Sequence, residues 1–198
     1  MNHVPDWDRD YREGKWDGLR DLDQQMRYAI LAGCILGHDH EAPKLVLDLG
    51  CGIGILREYL PSGSIDRYTG VDLSVEAVEQ ARLHGHERSG FVAVSVDDWE
   101  PDGDYDAIVF NEVLYYLPRP VALVERYARS LRSGGSIFVS MWYPSVSISV
   151  LRPTRGTNVR ARFGYSRIWR TLSRQFEIVN DIVVRQHGVR KWRIQQLR

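Results

Sequence analysis

Gly50-Cys51-Gly52-Ile53-Gly54 and a later acid, Asp72, carry the first chemical signal in this chain. Glycine tolerates positive φ and has no Cβ, so alternating glycines let a backbone turn sharply and let a ligand come close. The N–H groups opening a following helix then face whatever lies over the turn. Asp72 arrives about 20 residues on, the interval at which a carboxylate meets the hydroxyls of a nucleotide-type ribose. The plain alternative is a turn that binds nothing, with Asp72 merely capping a helix. The order strand, turn, helix, strand, acid weighs against it. Further along stand Asp97, Asp98, Trp99, Asn111, Glu112, Tyr115, Tyr116, Tyr143 and His187. Tyr115 and Tyr116 can orient an acceptor or form an aromatic wall. His187 has the pKa of a general base, although its glycine turn ordinarily places it at the surface.

These residues need elements to hold them. Val46, Leu47 and Leu49 run into the glycine turn and suit a strand covered on both faces. Tyr68–Val71 is a second strand, delivering Asp72; Phe91–Val96, Tyr105–Phe110 and Ser136–Trp142 read as a third, fourth and fifth. Between them lie helical patterns. Residues 21–36 place Leu22, Met26, Ala29, Ile30 and Cys34 at helical spacing, with Gly37 as C-cap. Leu56–Leu60 continues a short helix up to Pro61, Ser74 is a good N-cap for the next, and another follows Pro120. Tyr165, Ile168, Trp169, Leu172 and Phe176 predict a buried stripe on a helix over 166–175. Two runs around His187-Gly188 read as a hairpin.

Asp48-x-Gly50-x-Gly52-x-Gly54 followed by Gly70-Val71-Asp72 resembles the class I S-adenosylmethionine-dependent methyltransferases, and the likeness extends from about Tyr11 to the C-terminus. The dinucleotide fingerprint is spaced differently, as G-x-G-x-x-G. The resemblance implies S-adenosylmethionine as cofactor and an α/β fold: a Rossmann-like doubly wound sheet, mostly parallel with an antiparallel final strand, helices on both faces. It implies one methyltransferase domain over 1–198, with 1–36 as a helical lid segment. It also implies cofactor contacts from Tyr11, Arg27, Asp48, Gly50, Gly52, Asp72, Leu73, Asn111 and Glu112. Asp97 is the best match for the acid that meets the adenine amino group, Asp98 leaves the register open by one residue, and a backbone N–H of Asp98 or Trp99 would complete that contact. Arg27 would reach the cofactor's carboxylate, exposure to solvent being its commoner fate. Glu112-Val113-Leu114-Tyr115-Tyr116-Leu117 is similar to the nodulation N-methyltransferases acting on chitooligosaccharides. It is not the Asn/Asp-Pro-Pro-Tyr motif of enzymes that methylate base or glutamine amides.

Methyl transfer from a sulfonium is an in-line displacement, so alignment of donor and acceptor is the main demand. A hydroxyl acceptor also needs a base; an amine needs only its neutral form. Tyr115, Tyr116 and His187 are the catalytic candidates. No metal is expected: Trp142-Tyr143 stands where metal-dependent catechol-type relatives carry Asp-Asn. His38 and His40 lie at the wrong sheet edge for ligands, as do His84 and His86.

At 198 residues one domain is expected, and 43% hydrophobic with 26% charged residues suits a globular protein. No apolar run approaches a membrane span of about 18 residues. The N-terminus lacks the pattern of a signal peptide, and two cysteines, Cys34 and Cys51, make no disulfide framework, so a cytoplasmic enzyme is the default. Zero net charge hides an asymmetry: after residue 100, sixteen Lys and Arg face seven acids, a balance of +9. Residues 151–176 hold seven arginines and no acid. That stretch suits an anionic substrate or, with Phe163, Tyr165 and Trp169 interleaved, a nucleic acid. A solvated face, with ion pairs to the acidic half or to a second copy in a homodimer, is the favoured reading. The expected partner is a small-molecule acceptor, a sugar or secondary metabolite methylated at O or N. The alternatives are a nucleic-acid or protein methyltransferase using 151–176, and a silent fold serving as a scaffold.

Overall fold

A computed structural model describes residues 6–37, 44–143, 159–186 and 190–198. Seven strands form one sheet: β1 (Lys44–Leu49), β2 (Ile65–Asp72), β3 (Ser89–Ala93), β4 (Tyr105–Asn111), β5 (Leu131–Trp142), β6 (Ile178–Gln186) and β7 (Arg190–Leu197). Their order is β3-β2-β1-β4-β5-β7-β6. The first five run parallel, and β7 enters antiparallel between β5 and β6. The expected doubly wound sheet is therefore present, with the hairpin's second strand, not its first, against the parallel set.

Helices α1 (Trp7–Arg12), α2 (Leu22–Leu36), α3 (Ile55–Glu58), α4 (Val75–Leu83), α5 (Pro120–Ala128) and α6 (Val159–Gln175) complete the fold. Alternation along each strand divides the core into two layers. Val46, Ala107, Val109 and Phe138 pack with α2, α3 and α4. Leu47, Ile108, Phe110 and Val139 pack on the other face with α5 and α6. The stripe on α6 closes that second layer, with Tyr165, Ile168, Trp169 and Leu172 all buried. Each fully buried aliphatic side chain contributes about 1.5–3 kcal/mol, so the scaffold is rigid where the strand ends meet the site.

Several boundaries differ from expectation. β3 spans Ser89–Ala93 and not Phe91–Val96, because the Val94 N–H makes the last bond to Asp72 (2.8 Å) before Ser95 starts a turn. β5 begins at Leu131, and α6 begins at Val159, well before Ser166. The helix after the glycine turn, expected to run on to Leu60, spans only Ile55–Glu58, ending as Tyr59 caps it. Ser74 caps α4 as expected, its hydroxyl accepting from the Ala77 N–H at 3.1 Å.

Among the described residues two arginines are sealed inside, and they differ. Arg57 donates to Leu60 O (2.6 Å), Ser89 Oγ (2.9 Å) and Glu87 O (3.1 Å), tying α3 to the approach to β3. Arg27, on α2, is only 2% exposed, against the expectation of a solvent-facing side chain, and its Nε and Nη2 have no hydrogen-bond partner.

Candidate active site

The glycine turn is fixed to β2 by its own backbone. Gly50 N–H and Cys51 N–H both donate to Val71 O, at 2.8 and 3.1 Å. Gly50 has φ +75°, and a Cβ there would meet Val113 Cγ2 at 2.6 Å, so β4's exit loop lies directly over the turn. Gly52, at φ +53°, is covered by the Tyr11 hydroxyl, which a Cβ would meet at 2.7 Å. A side chain at either position would fill the space the turn keeps open. Beneath it, Asp48 is 1% exposed and accepts from the Tyr68 hydroxyl at 2.5 Å. Burial pushes the Asp48 carboxyl up to about 7, with Tyr68 pulling it partly back. Asp48 does not line the cavity, which corrects its expected place among direct contacts: it supports the turn from below.

Asp72 stands at the end of β2 with one carboxylate oxygen on Gly52 N–H (2.8 Å) and the other on Ser74 N–H (2.9 Å). Burial raises its pKa, and these backbone donors oppose the rise. Each oxygen keeps a second lone pair for a ligand hydroxyl. The next wall is the loop after β3. Arg126 of α5 donates to Val96 O (2.6 Å), Asp97 O (2.6 Å) and Trp99 O (3.2 Å), and Tyr127 also donates to Val96 O. That clamp leaves Asp97 lining the cavity. Asp98 and Trp99 do not line it. Both their backbone N–H groups bond Ser95 O at 3.0 Å, and the Trp99 ring stacks on Tyr127, so the expected backbone contact is already spent.

The opposite wall comes from α2 and the end of β4. Glu112 adopts a left-handed conformation, φ +60°, which turns its side chain inward; β-region strand geometry would not. The Tyr115 hydroxyl donates to Glu112 Oε2 at 2.8 Å, and Arg27 Nη1 lies 3.7 Å from Glu112 Oε1. Burial raises the Glu112 pKa, against the pull of Arg27 and Tyr115. Burial and the Glu112 charge push the Tyr115 hydroxyl well up, so at neutral pH it is a hydrogen-bond donor and no base. Asn111 also lines the cavity, its Oδ1 buried without a partner.

The N-terminal segment covers the opening. Trp7 stacks on Trp16 (centroids 5.8 Å apart) and meets Tyr116 edge-on at 4.8 Å. Asp8 holds α1 in place, accepting from Ser74 Oγ (2.7 Å) and from Glu76 N–H (3.2 Å). The Ser74 and Asp8 bond thus links the cover to the residue two positions beyond Asp72. The cavity measures about 480 Å³, within the range of small-molecule sites. Tyr11, Arg27, Gly50, Gly52, Asp72, Leu73, Asp97, Asn111, Glu112, Tyr115 and Tyr116 all line it. Sequence reasoning missed Gln24, Ser95 and Trp192 in that lining. Trp192 had no signal, since it reaches the site only because β7 inserts beside β5.

His187 lies outside the described residues, as do His38 and His40. His84 contacts Arg20 Nη2 at 2.8 Å, away from the cavity. Among the described residues no group of three His, Cys, Asp or Glu side chains could hold a metal, and no helix is long and apolar enough to cross a membrane.

A family model described as a methyltransferase domain matches residues 21–181. The chain belongs to the methyltransferase-domain family. Within the family, it is 40% identical over 100 residues to a ubiquinone biosynthesis O-methyltransferase of Xanthomonas oryzae pv. oryzae, covering 48% of this chain and 41% of that one. A protein of the same description from Burkholderia vietnamiensis is 37% identical over 117 residues, 56% of this chain and 50% of that one. The match thus spans half or less of the length of these relatives. The N-methyltransferase NodS of Bradyrhizobium japonicum WM9, solved with S-adenosyl-L-homocysteine, shares the methyltransferase fold with TM-score 0.75 over 98% of both chains at 16% identity.

Proposed function

We propose that this protein is an S-adenosylmethionine-dependent methyltransferase acting on oxygen or nitrogen of a small molecule. The observation that carries the reading is Arg27: a sealed guanidinium with two unpaired nitrogens, opening on the same cavity as Asp72. Glu112, 3.7 Å from Nη1, meets the charge but leaves Nε and Nη2 without acceptors, and buried donors left unsatisfied are costly; the carboxylate of the methyl donor suits them. The other walls fit the rest of that molecule. Asp72 accepts from the ribose hydroxyls, Asp97 from the adenine amino group, and Glu112 Oε1, which has no hydrogen-bond partner, from the ammonium. Leu73, 54% exposed at the rim, covers the adenine face. The relatives described as ubiquinone biosynthesis O-methyltransferases and the donor-derived ligand in the NodS structure support the same reading.

The bound donor would supply an activated methyl group. The chain's own task is alignment and exclusion of water. Tyr115, its one O–H donated to Glu112, presents the phenolic oxygen as a hydrogen-bond acceptor to the hydroxyl or amine of the acceptor, and Tyr116 forms the outer aromatic wall beside Trp7. The lid of a single methyltransferase domain, expected over 1–36, is narrower: α1 and the turn after it cover the cavity, latched through Asp8, whereas α2 packs in the core through Tyr28, Leu31 and Ile35. The cytoplasm suits two free cysteines, Cys34 and Cys51. Nucleic acid is the less suitable acceptor, because the rings at the cavity mouth, Trp7, Trp16 and Tyr116, pack against one another and are not presented for base stacking.

Titration calorimetry with S-adenosylhomocysteine tests the cofactor reading. Binding in the micromolar range is expected, falling by about a hundredfold in Asp72→Ala as two charge-assisted hydrogen bonds are lost. Absence of binding to the unaltered protein would sink it, and a silent scaffold would bind without ever turning over.

A further inference from the structure

Behind the Tyr115-Tyr116 wall lies a second depression, a groove of about 690 Å³ between the start of α5 and α6. It shares Tyr115, Tyr116, Leu117 and Pro118 with the central cavity, so the two spaces adjoin at these residues. Tyr116, 46% exposed, is the divider nearest solvent. The groove's floor is apolar, from Leu114, Val121 and Ile168. Its charged lining residues are Arg119 and Arg167, both exposed and neither in an ion pair among the described residues; no acid lines it. The Thr171 hydroxyl is spent on Arg167 O (2.9 Å). Arg170 and Arg174, exposed on the same helix, extend the positive field outward.

An apolar trough with two unneutralised guanidinium groups and no carboxylate selects for an amphipathic anion. From this we infer that the acceptor carries an oxyanion, carboxylate or phosphate, on an arm directed away from the methylated atom. Its reacting end sits at Tyr115 inside the cavity, and its arm passes Tyr116 into the groove, where Arg119 and Arg167 hold the charge. The inference rests on the methyltransferase reading for the location of the reacting end, and it gives the arginine-rich stretch a use that a solvated face would not. Arg119 and Arg167 thereby become specificity residues: they touch the acceptor far from its reacting atom and leave the donor's walls alone.

Tryptophan fluorescence of Trp7 and Trp16, beside Tyr116, offers the readout. Two matched pairs of probes, caffeate with its methyl ester and phenyl phosphate with phenol, are titrated with and without S-adenosylhomocysteine. Each anion is expected to bind about tenfold more tightly than its neutral partner, a value set by a partly exposed charge-assisted contact. The tighter of the two anions identifies carboxylate or phosphate. In the Arg119→Gln/Arg167→Gln double variant the preference should shrink to within about threefold, with S-adenosylhomocysteine affinity unchanged. No binding of either anion, equal binding of the pairs, or a preference that survives the double variant overturns the inference. So does a gel shift of a single-stranded oligonucleotide that needs the same two arginines while the small anions show no preference. Failure of S-adenosylhomocysteine to bind is scored separately and bears on the cofactor reading alone.

Discussion

The two long walls of the cavity are built on opposite principles. On the β1–β2 side nearly every polar group is already paired within the protein. Asp72 is held by two backbone N–H groups, the glycine turn by Val71 O, and the loop after β3 by Arg126 and Tyr127. On the α2–β4 side Arg27 Nε and Nη2, Glu112 Oε1 and Asn111 Oδ1 are buried without hydrogen-bond partners. Arg57 shows that the fold can satisfy a sealed guanidinium when it serves structure alone. A finished wall fixes shape, whereas an unfinished one reserves hydrogen-bonding capacity for a ligand, at a cost in stability. Asp48 is the exception on the finished side, with Oδ1 unpaired beneath the turn.

That exception should give the largest effect on folding. The Asp48 carboxyl, raised to about 7 when folded, releases its proton at lower pH once unfolded. Stability from this group is therefore complete below about pH 4 and is lost as pH rises toward 7, with a slope approaching about 1.4 kcal/mol per pH unit. Asp48→Asn keeps an acceptor for Tyr68 and should flatten that slope in urea titrations from pH 4 to 8. An unchanged slope would mean the finished wall carries no such penalty.

Arg27→Met tests the unfinished wall. Cofactor-product affinity should fall about thirtyfold, roughly 2 kcal/mol, and the melting temperature should fall as well, because Glu112 loses the guanidinium 3.7 Å from its Oε1. A lower melting temperature with unchanged affinity would make Arg27 a structural cation paired to Glu112 alone. The smallest change is expected from Asp8→Ala, which unlatches α1 from Ser74 and Glu76. Because Asp8 is partly exposed, S-adenosylhomocysteine should dissociate only about twofold to threefold faster in stopped-flow traces. No change in that rate would detach α1 from any role as cover.

The finished wall was also the legible one. Alternating glycines and a carboxylate at fixed interval report local backbone geometry, and local geometry is what residue spacing encodes. The strand alternation that places Val46 on one face and Leu47 on the other is encoded the same way. The unfinished wall depends on long-range packing. Nothing near Arg27 in the chain says that it will be sealed, because its cover includes the Trp192 ring, 5.5 Å away and 165 positions later. Glu112 turns inward only through an unusual φ, which a Glu-Val-Leu sequence does not announce. The end of β3 was misplaced because Val94 and Val96 continue an apolar alternation while Ser95 breaks it by capping Asp97 N–H (3.2 Å).

The place of β7 bears on the order of assembly. β6 pairs with β7 and with no other strand, so it can join the sheet only as half of a hairpin. Pairing of β6 into the sheet therefore waits on β7, the strand that also carries Trp192 to the cavity. Until then Arg27 lacks one of its aromatic covers and the second core layer lacks Leu197. In pulse-labelling hydrogen exchange, β1, β2 and β4 should be protected before β6 and β7; simultaneous protection of all seven strands would contradict this sequence of events.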